Sequence, residues 1–380
     1  MVYFDNAATT PLPKAVADAM YEVLTAHFGN PSSQYPIGVE MKKAVEGWRA
    51  VIAGALGCPA ERLYFTSCGT ESDNWAIQAA LWQNRHRGRH IITTAVEHSA
   101  VLEPCKLLAQ QGYEVTYLKP GQDGNVTAEQ VADALREDTA LVSVMLVNNE
   151  TGCVFPAADI AALLRKKGSP ALLHCDAVQG FLKVPCDPEG WGVDLMSLSG
   201  HKVGGPKGVG ALYTAPELRN LRPLLPGGGQ EGGMRSGTEN VAGINALAMA
   251  AEIFSDHYDK NTINENYNTL VNCLKDIPDC VIIGNQQNNT HLITAVSFLG
   301  CKAEILQSMM ADEGVIVGRG SACSSRHAGN RVLESMGLPK KMVEGTLRFS
   351  MCPETQKQEI IDACEILSKK VQKLRGNKIG

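Results

Sequence analysis

The sequence has no apolar run approaching the roughly 18 residues that a membrane-spanning helix requires, which argues against a membrane protein. It also lacks a basic excess. Lys and Arg total 35 against 40 Asp and Glu, a net charge of −5, so there is no electrostatic footprint for nucleic acid or an anionic membrane surface. Only the last turns, with Lys369, Lys370, Lys373, Arg375 and Lys378, are locally basic, as expected of a solvated helix end. Twelve cysteines are present but no C-x-x-C pair, and the closest two lie seven residues apart, which excludes the common zinc and redox motifs. No metal site is expected. The opening MVYFDNAATTPLP carries Asp5 where a signal peptide would be basic and then apolar, so the cytoplasm is the expected compartment. In that reducing setting most of the cysteines should be small buried hydrophobes. Repeats, low-complexity tracts and long linkers are absent as well.

What is present points to an α/β protein. At 380 residues the chain exceeds the roughly 250–300 at which single cores stop growing, so two lobes are expected. Short β-rich runs alternate with stretches of helical period: RLYFTS (62–67), HIITTA (90–95), EVTYL (114–118), ALVSVMLV (140–147), PALLHC (170–175), VDLMSLS (193–199) and GVGALYT (208–214). This alternation predicts a mainly parallel sheet covered by helices on both faces. After the glycine-rich LLPGGGQEGGMRSGTEN (224–240), a long helical stretch over about 241–275 leads to ITAVSFLG, VIVGRG and TLRFSM, each followed by a helix. In the last helix Ile360, Cys364, Leu367, Val371 and Leu374 form one apolar stripe. This second part reads as a smaller α+β lobe.

In a parallel sheet, ligands sit beyond the carboxyl ends of the strands. Five strand ends here carry polar residues. FTSCGTESDN (65–74) opens a helix on small residues, so the Gly69 backbone and the Thr70 hydroxyl can converge on a phosphate; a plain N-cap by Thr70 or Ser67 fits that segment equally well. AVEHSA places His98, and LVNNET places Asn148 and Asn149, just past two others. HCDAVQG buries Asp176, with Gln179 three residues on, and a carboxylate there needs a cation. SLSGHKVGGPKG supplies Ser199, His201 and Lys202. Singly, each has an ordinary structural explanation. Together they are the parts needed to hold pyridoxal phosphate: a lysine for the Schiff base, an acid for the pyridine nitrogen, a phosphate nest and a histidine.

These segments resemble the cysteine desulfurases of the class V aminotransferase group, with the fold type I architecture of pyridoxal-phosphate enzymes. The resemblance also rests on FDNAATTP, FGNPSS (28–33), GGGQEGGMRSGTEN, GSACSS and TLRFSM. It implies a seven-stranded large domain over 16–255, a small α+β domain over 256–380 carrying a mobile cysteine loop, and an N-terminal segment, 1–15, packing with the small domain. Lys202 would carry the cofactor, Asp176 face its pyridine nitrogen, Gln179 its ring oxygen, and His98 stack on the ring and shuttle protons. Gly69, Thr70, Ser199 and His201 would bind the phosphate, joined by Thr238 from a second subunit of a homodimer. Asn149 would contact cofactor and substrate, and Arg348 would grip the carboxylate of L-cysteine. Cys323 would take the sulfur as a persulfide, releasing alanine, and hand it to an acceptor protein in iron–sulfur cluster assembly or another thiolation. Val332 lies nine positions after Cys323, close to the longer-loop members that pass sulfur to scaffold proteins. Tyr35, Cys68, Gly69, Gly204 and Cys352 depart from the usual pattern. A selenocysteine lyase, an aminotransferase or a β-lyase of the same fold would not need Cys323, and a non-catalytic sulfur-relay subunit would not need Lys202.

Overall fold

A computed structural model describes residues 1–218, 221–320 and 330–376. Twelve strands are present among them. In chain order they are β1 (Val2–Phe4), β2 (Leu63–Thr66), β3 (His90–Thr94), β4 (Glu114–Leu118), β5 (Thr139–Met145), β6 (Leu172–Asp176), β7 (Leu195–Ser199), β8 (Gly210–Thr214), β9 (Cys280–Ile283), β10 (Ile293–Phe298), β11 (Val315–Val317) and β12 (Thr346–Ser350). Seven form one sheet in the order β2-β8-β7-β6-β5-β3-β4. Strands β3 to β7 pair in parallel with their neighbours, and β8 runs antiparallel between β2 and β7. Because β2 and β7 are both antiparallel to β8, β2 points the same way as the parallel set. The seven strands coincide with the seven apolar runs, and the central ones are buried throughout. Such continuous burial is what helices on both faces of a parallel sheet impose. This is the α/β architecture of fold type I.

The consequence for function is geometric. The carboxyl ends of β2, β3, β5, β6 and β7 all open on the same side of the sheet, and the five polar segments follow them. Register places Asp176, the last residue of β6, opposite Met145 on β5 and Ser197 on β7.

The remaining strands form a three-stranded antiparallel sheet, β12-β10-β9, and a parallel pair, β1-β11. Strand β9 has no counterpart in the sequence reading; its short CVII is only half-buried. The helical stretch expected over 241–275 is two helices, Val241–His257 and Lys260–Lys275. The break is made by Asp259, whose side chain caps the second helix by accepting from the Asn261 and Thr262 amides. The last helix, Lys357–Gly376, buries Ile360, Cys364, Leu367 and Val371 along the expected stripe. The glycine-flanked loop holding Cys323 lies outside the described residues, as does any test of its mobility.

Candidate active site

The five strand ends converge. A cavity of about 270 Å³ is lined by Gly69, Thr70, His98, Asn149, Asp176, Gln179, Ser199, His201, Lys202 and Arg348. Thr238 does not line it and is exposed.

Lys202 follows β7 through a short 3-10 turn, Gly200–Lys202. Its Nζ donates to the carbonyls of Ala7 (2.7 Å) and Ala8 (2.9 Å). Those carbonyls belong to the segment Asp5–Thr10, which is tied down on both sides. Asn6 Nδ2 donates to Ser350 O (2.9 Å), the Ala7 amide to Ser350 Oγ (2.9 Å), and the Thr10 amide to His201 O (2.9 Å). FDNAATTP therefore closes the cavity with backbone rather than side-chain chemistry, which a residue-type reading passes over.

Asp176 is 5 % exposed, and its Oδ1 accepts from the Val178 amide at 2.9 Å. Burial, and then the neighbouring Asp73, push its carboxyl up to about 7, while His98 and His174 pull the other way. An acid in that position gains from any cation placed in the cavity. Asp73, on the helix Gly69–Gln83, also lines the cavity; burial pushes it up to about 7. Its Oδ1 lies 3.5 Å from His174 Nε2. Glu97, fully buried between Thr94 Oγ1 and the Met145 amide, completes an acidic layer under the site.

His98 caps the helix Ser99–Gln110, its Nδ1 accepting from the Ala100 amide at 3.2 Å. That bond assigns the neutral ring's proton to Nε2. Burial, with Lys202 and Arg331 nearby, lowers its basicity despite Asp176. His201, whose Nδ1 is 3.3 Å from Thr9 Oγ1, is pushed down to about 4 by burial and then by Lys202, so it too is a neutral ring.

The helix Gly69–Gln83 begins at Cys68, whose side chain makes no capping bond, and neither Thr70 nor Ser67 caps it. Glu71 instead turns back to accept from the Ser67 amide and hydroxyl and pairs with Arg235 (2.8 Å). The first-turn amides are thus not consumed by a side-chain cap, and an anion at this helix start meets oriented N–H groups. A side chain at Gly69 would not fit. A Cβ there would stand 2.6 Å from Val178 Cγ2, in the wall of the cavity.

Arg348, on β12, is 3 % exposed. Its Nη1 donates to Asn149 O (2.8 Å) and its Nη2 to Asp5 Oδ1 (2.6 Å), while Nε is buried without a hydrogen bond among the described residues. Gly318 bridges to Arg348 across the backbone, and a Cβ there would lie 2.5 Å from Asp5 Oδ1 and 2.9 Å from Arg348 Nε. The first glycine of GRGSACSS is thus small because the arginine–aspartate pair passes over it. Asp5, Asp73 and the Ala7–Ala8 carbonyls are site components that the sequence reading did not single out.

The donor set suits pyridoxal phosphate. A buried acid without an ion-pair partner among the described residues faces the cavity from one side, a lysine amine from another, and a helix start with no side-chain cap lies beside Ser199. Lys202, Asp176, Gly69, Thr70, Ser199 and His201 would hold the group.

Comparison with known proteins agrees. The aminotransferase class-V family matches residues 2–362. A cysteine desulfurase of Nostoc sp. is 40% identical over 379 residues, covering 99% of this chain and 94% of the relative. Among solved structures, a NifS-like protein aligns with TM-score 0.89 at 35% identity, covering 97% of this chain and 98% of its own. A structure described as SspA in complex with cysteine aligns with TM-score 0.82 at 33% identity, covering 94% and 100%. The chain belongs to the aminotransferase class-V family of pyridoxal-phosphate-dependent enzymes, among the cysteine desulfurases.

Proposed function

We propose that this protein removes sulfur from L-cysteine, releasing L-alanine and leaving a persulfide on Cys323 that passes to an acceptor protein. The convergence of Lys202, Asp176, His98 and Arg348 on one cavity carries this reading, supported by the similarity to a protein solved with cysteine bound. When bound, pyridoxal phosphate supplies an electron sink for the charge left at the substrate Cα.

The chain's own residues do the rest. Arg348 receives the substrate carboxylate, which would satisfy its buried Nε–H and share the guanidinium with Asp5. Asn149, whose carbonyl accepts from Nη1, lies beside it and would contact both cofactor and substrate. Asp176 would hold a protonated ring nitrogen, and that cation would keep its buried carboxylate ionised. Gln179, which lines the cavity, would donate to the ring oxygen. Lys202 would hold the cofactor, and its amine, within this cavity, would be the base for the Cα proton. His98 offers Nε2–H above the cavity as a proton donor. Cys323 as thiolate forms an S–S bond to the substrate sulfur as the Cβ–S bond breaks; the net change, cysteine plus enzyme thiol to alanine plus enzyme persulfide, balances. The test is product analysis. With L-cysteine and a reductant, alanine and sulfide should appear in equal amounts, whereas pyruvate and ammonia in their place would indicate a β-lyase.

A homodimer belongs to the same proposal, with Thr238 reaching the phosphate of the neighbouring subunit. In support, Tyr21, Leu24, Phe28, Tyr35, Ile37 and Val39 are exposed apolar residues within one short stretch of chain, more than a free surface ordinarily carries. Light scattering should give twice the chain mass, and a fully active monomer would contradict the shared site. The acceptor is proposed to be an iron–sulfur scaffold or a thiolation protein, reached from the loop after Gly320. Domain limits of 16–255 and 256–380, and a cytoplasmic setting, are proposed on the same footing. No helix among the described residues is long and apolar enough to cross a membrane.

A further inference from the structure

Beneath the cavity lies a second buried lysine that none of the roles above uses. Lys183, in the turn after β6, is 4 % exposed, and its Nζ donates to Gln179 Oε1 at 3.0 Å. Gln179 Nε2 in turn donates to Ala7 O at 2.8 Å, the same carbonyl that accepts from Lys202 Nζ at 2.7 Å. The chain Lys183–Gln179–Ala7–Lys202 is continuous. It also fixes which way the amide points. A carbonyl can only accept, so Ala7 turns the Gln179 NH2 toward itself, and the Gln179 oxygen is left to accept from Lys183. Gln179 lines the cavity, and the group left to face it there is an N–H donor.

A buried lysine is costly without a paired anion, and among the described residues this one has none. The groups facing it are Lys202 from the turn after β7, Arg348 on β12 and Cys352 just past β12; the first two oppose its charge, and only Cys352 favours it. Asp5 lies beyond, already paired with Arg348. Burial and these two cations push the Lys183 amine down to about 7. Packing alone would be served by leucine or methionine.

We propose that Lys183 is a positioning residue for the loaded site, holding Gln179 donor-side toward the cofactor and, in its protonated form, placing positive charge beside Lys202, so that the cofactor-linked Lys202 nitrogen gives up its proton readily. The proposal rests on the assignment of Lys202 and Gln179 given above. Its sign follows from electrostatics. A nearby cation and a fixed N–H donor both disfavour the protonated, cationic form of that nitrogen, so removing them raises the pH at which it deprotonates.

Visible absorbance of the resting holoenzyme, titrated with pH in the absence of substrate, reads this directly. Lys183→Met should move the midpoint upward by about one unit. Lys183→Gln, which keeps an N–H donor but no charge, should move it the same way by less, and serves if the apolar variant does not fold. Borohydride reduction and peptide mapping of the same preparations locate the linked lysine. Attachment at Lys202 with an unmoved midpoint in both variants overturns the role of Lys183 and leaves Lys202 as assigned. Attachment at Lys183 or any other lysine overturns both.

Discussion

Lys202→Ala is expected to abolish the visible band of the lysine-linked cofactor and to slow turnover of L-cysteine by roughly 10³-fold or more, since it removes both the covalent anchor and the base positioned for the Cα proton. The fold should survive. Lys202 Nζ contributes hydrogen bonds to the carbonyls of Ala7 and Ala8, but the segment Asp5–Thr10 keeps its separate ties to Ser350 and His201. Binding of the cofactor should weaken rather than vanish, because Asp176, the helix start at Gly69 and His201 remain. Among the described residues Lys202 is the lysine lining the cavity, and Lys183 lies behind Gln179, so no other amine stands ready to substitute. Thermal melting together with the absorbance spectrum checks the prediction. A Lys202→Ala protein that kept the band would place the linkage on another lysine.

Cys323→Ala should produce a different defect. Cofactor loading and the resting spectrum should be unchanged, because the cavity residues described here are untouched. Sulfide release from L-cysteine should fall by roughly 10³-fold or more for loss of the attacking nucleophile. The separation of effects is the informative part. Loss of Lys202 removes the spectrum and the reaction together, whereas loss of Cys323 removes the reaction alone. An aminotransferase or β-lyase on this fold would be indifferent to Cys323, and unchanged turnover in Cys323→Ala would favour one of those.

How much of this could be read from the chain depended on where the chemistry sits. The seven strands of the large sheet were legible because each is a short β-rich run set between helical stretches, and the inner ones are buried apolar runs, as in LLHCD before Ala177. The acid, the lysine and the histidine of the site were legible because a polar side chain at the end of such a run needs a reason. Asp5 and the Ala7–Ala8 carbonyls were not, since what those alanines supply to Lys202 is backbone oxygen, and Asp5 meets Arg348 across 343 residues of sequence. Lys183 in FLKVP and Asp73 in GTESDN carry no local sign of burial in the sequence, and only tertiary packing buries them. The break before Lys260 escaped for the opposite reason, because the apolar period continues across it and the stop is a local cap at Asp259.

The central claim is that sulfur leaves cysteine in this cavity and arrives on Cys323. Mass analysis of peptides from protein incubated with L-cysteine, quenched with a thiol-blocking reagent and digested without reductant, tests it most directly. The account predicts one extra sulfur on the peptide containing Cys323, with alanine released in proportion. Sulfur found instead on Cys68, which lines the cavity itself, or on no cysteine while sulfide is still produced, would contradict it.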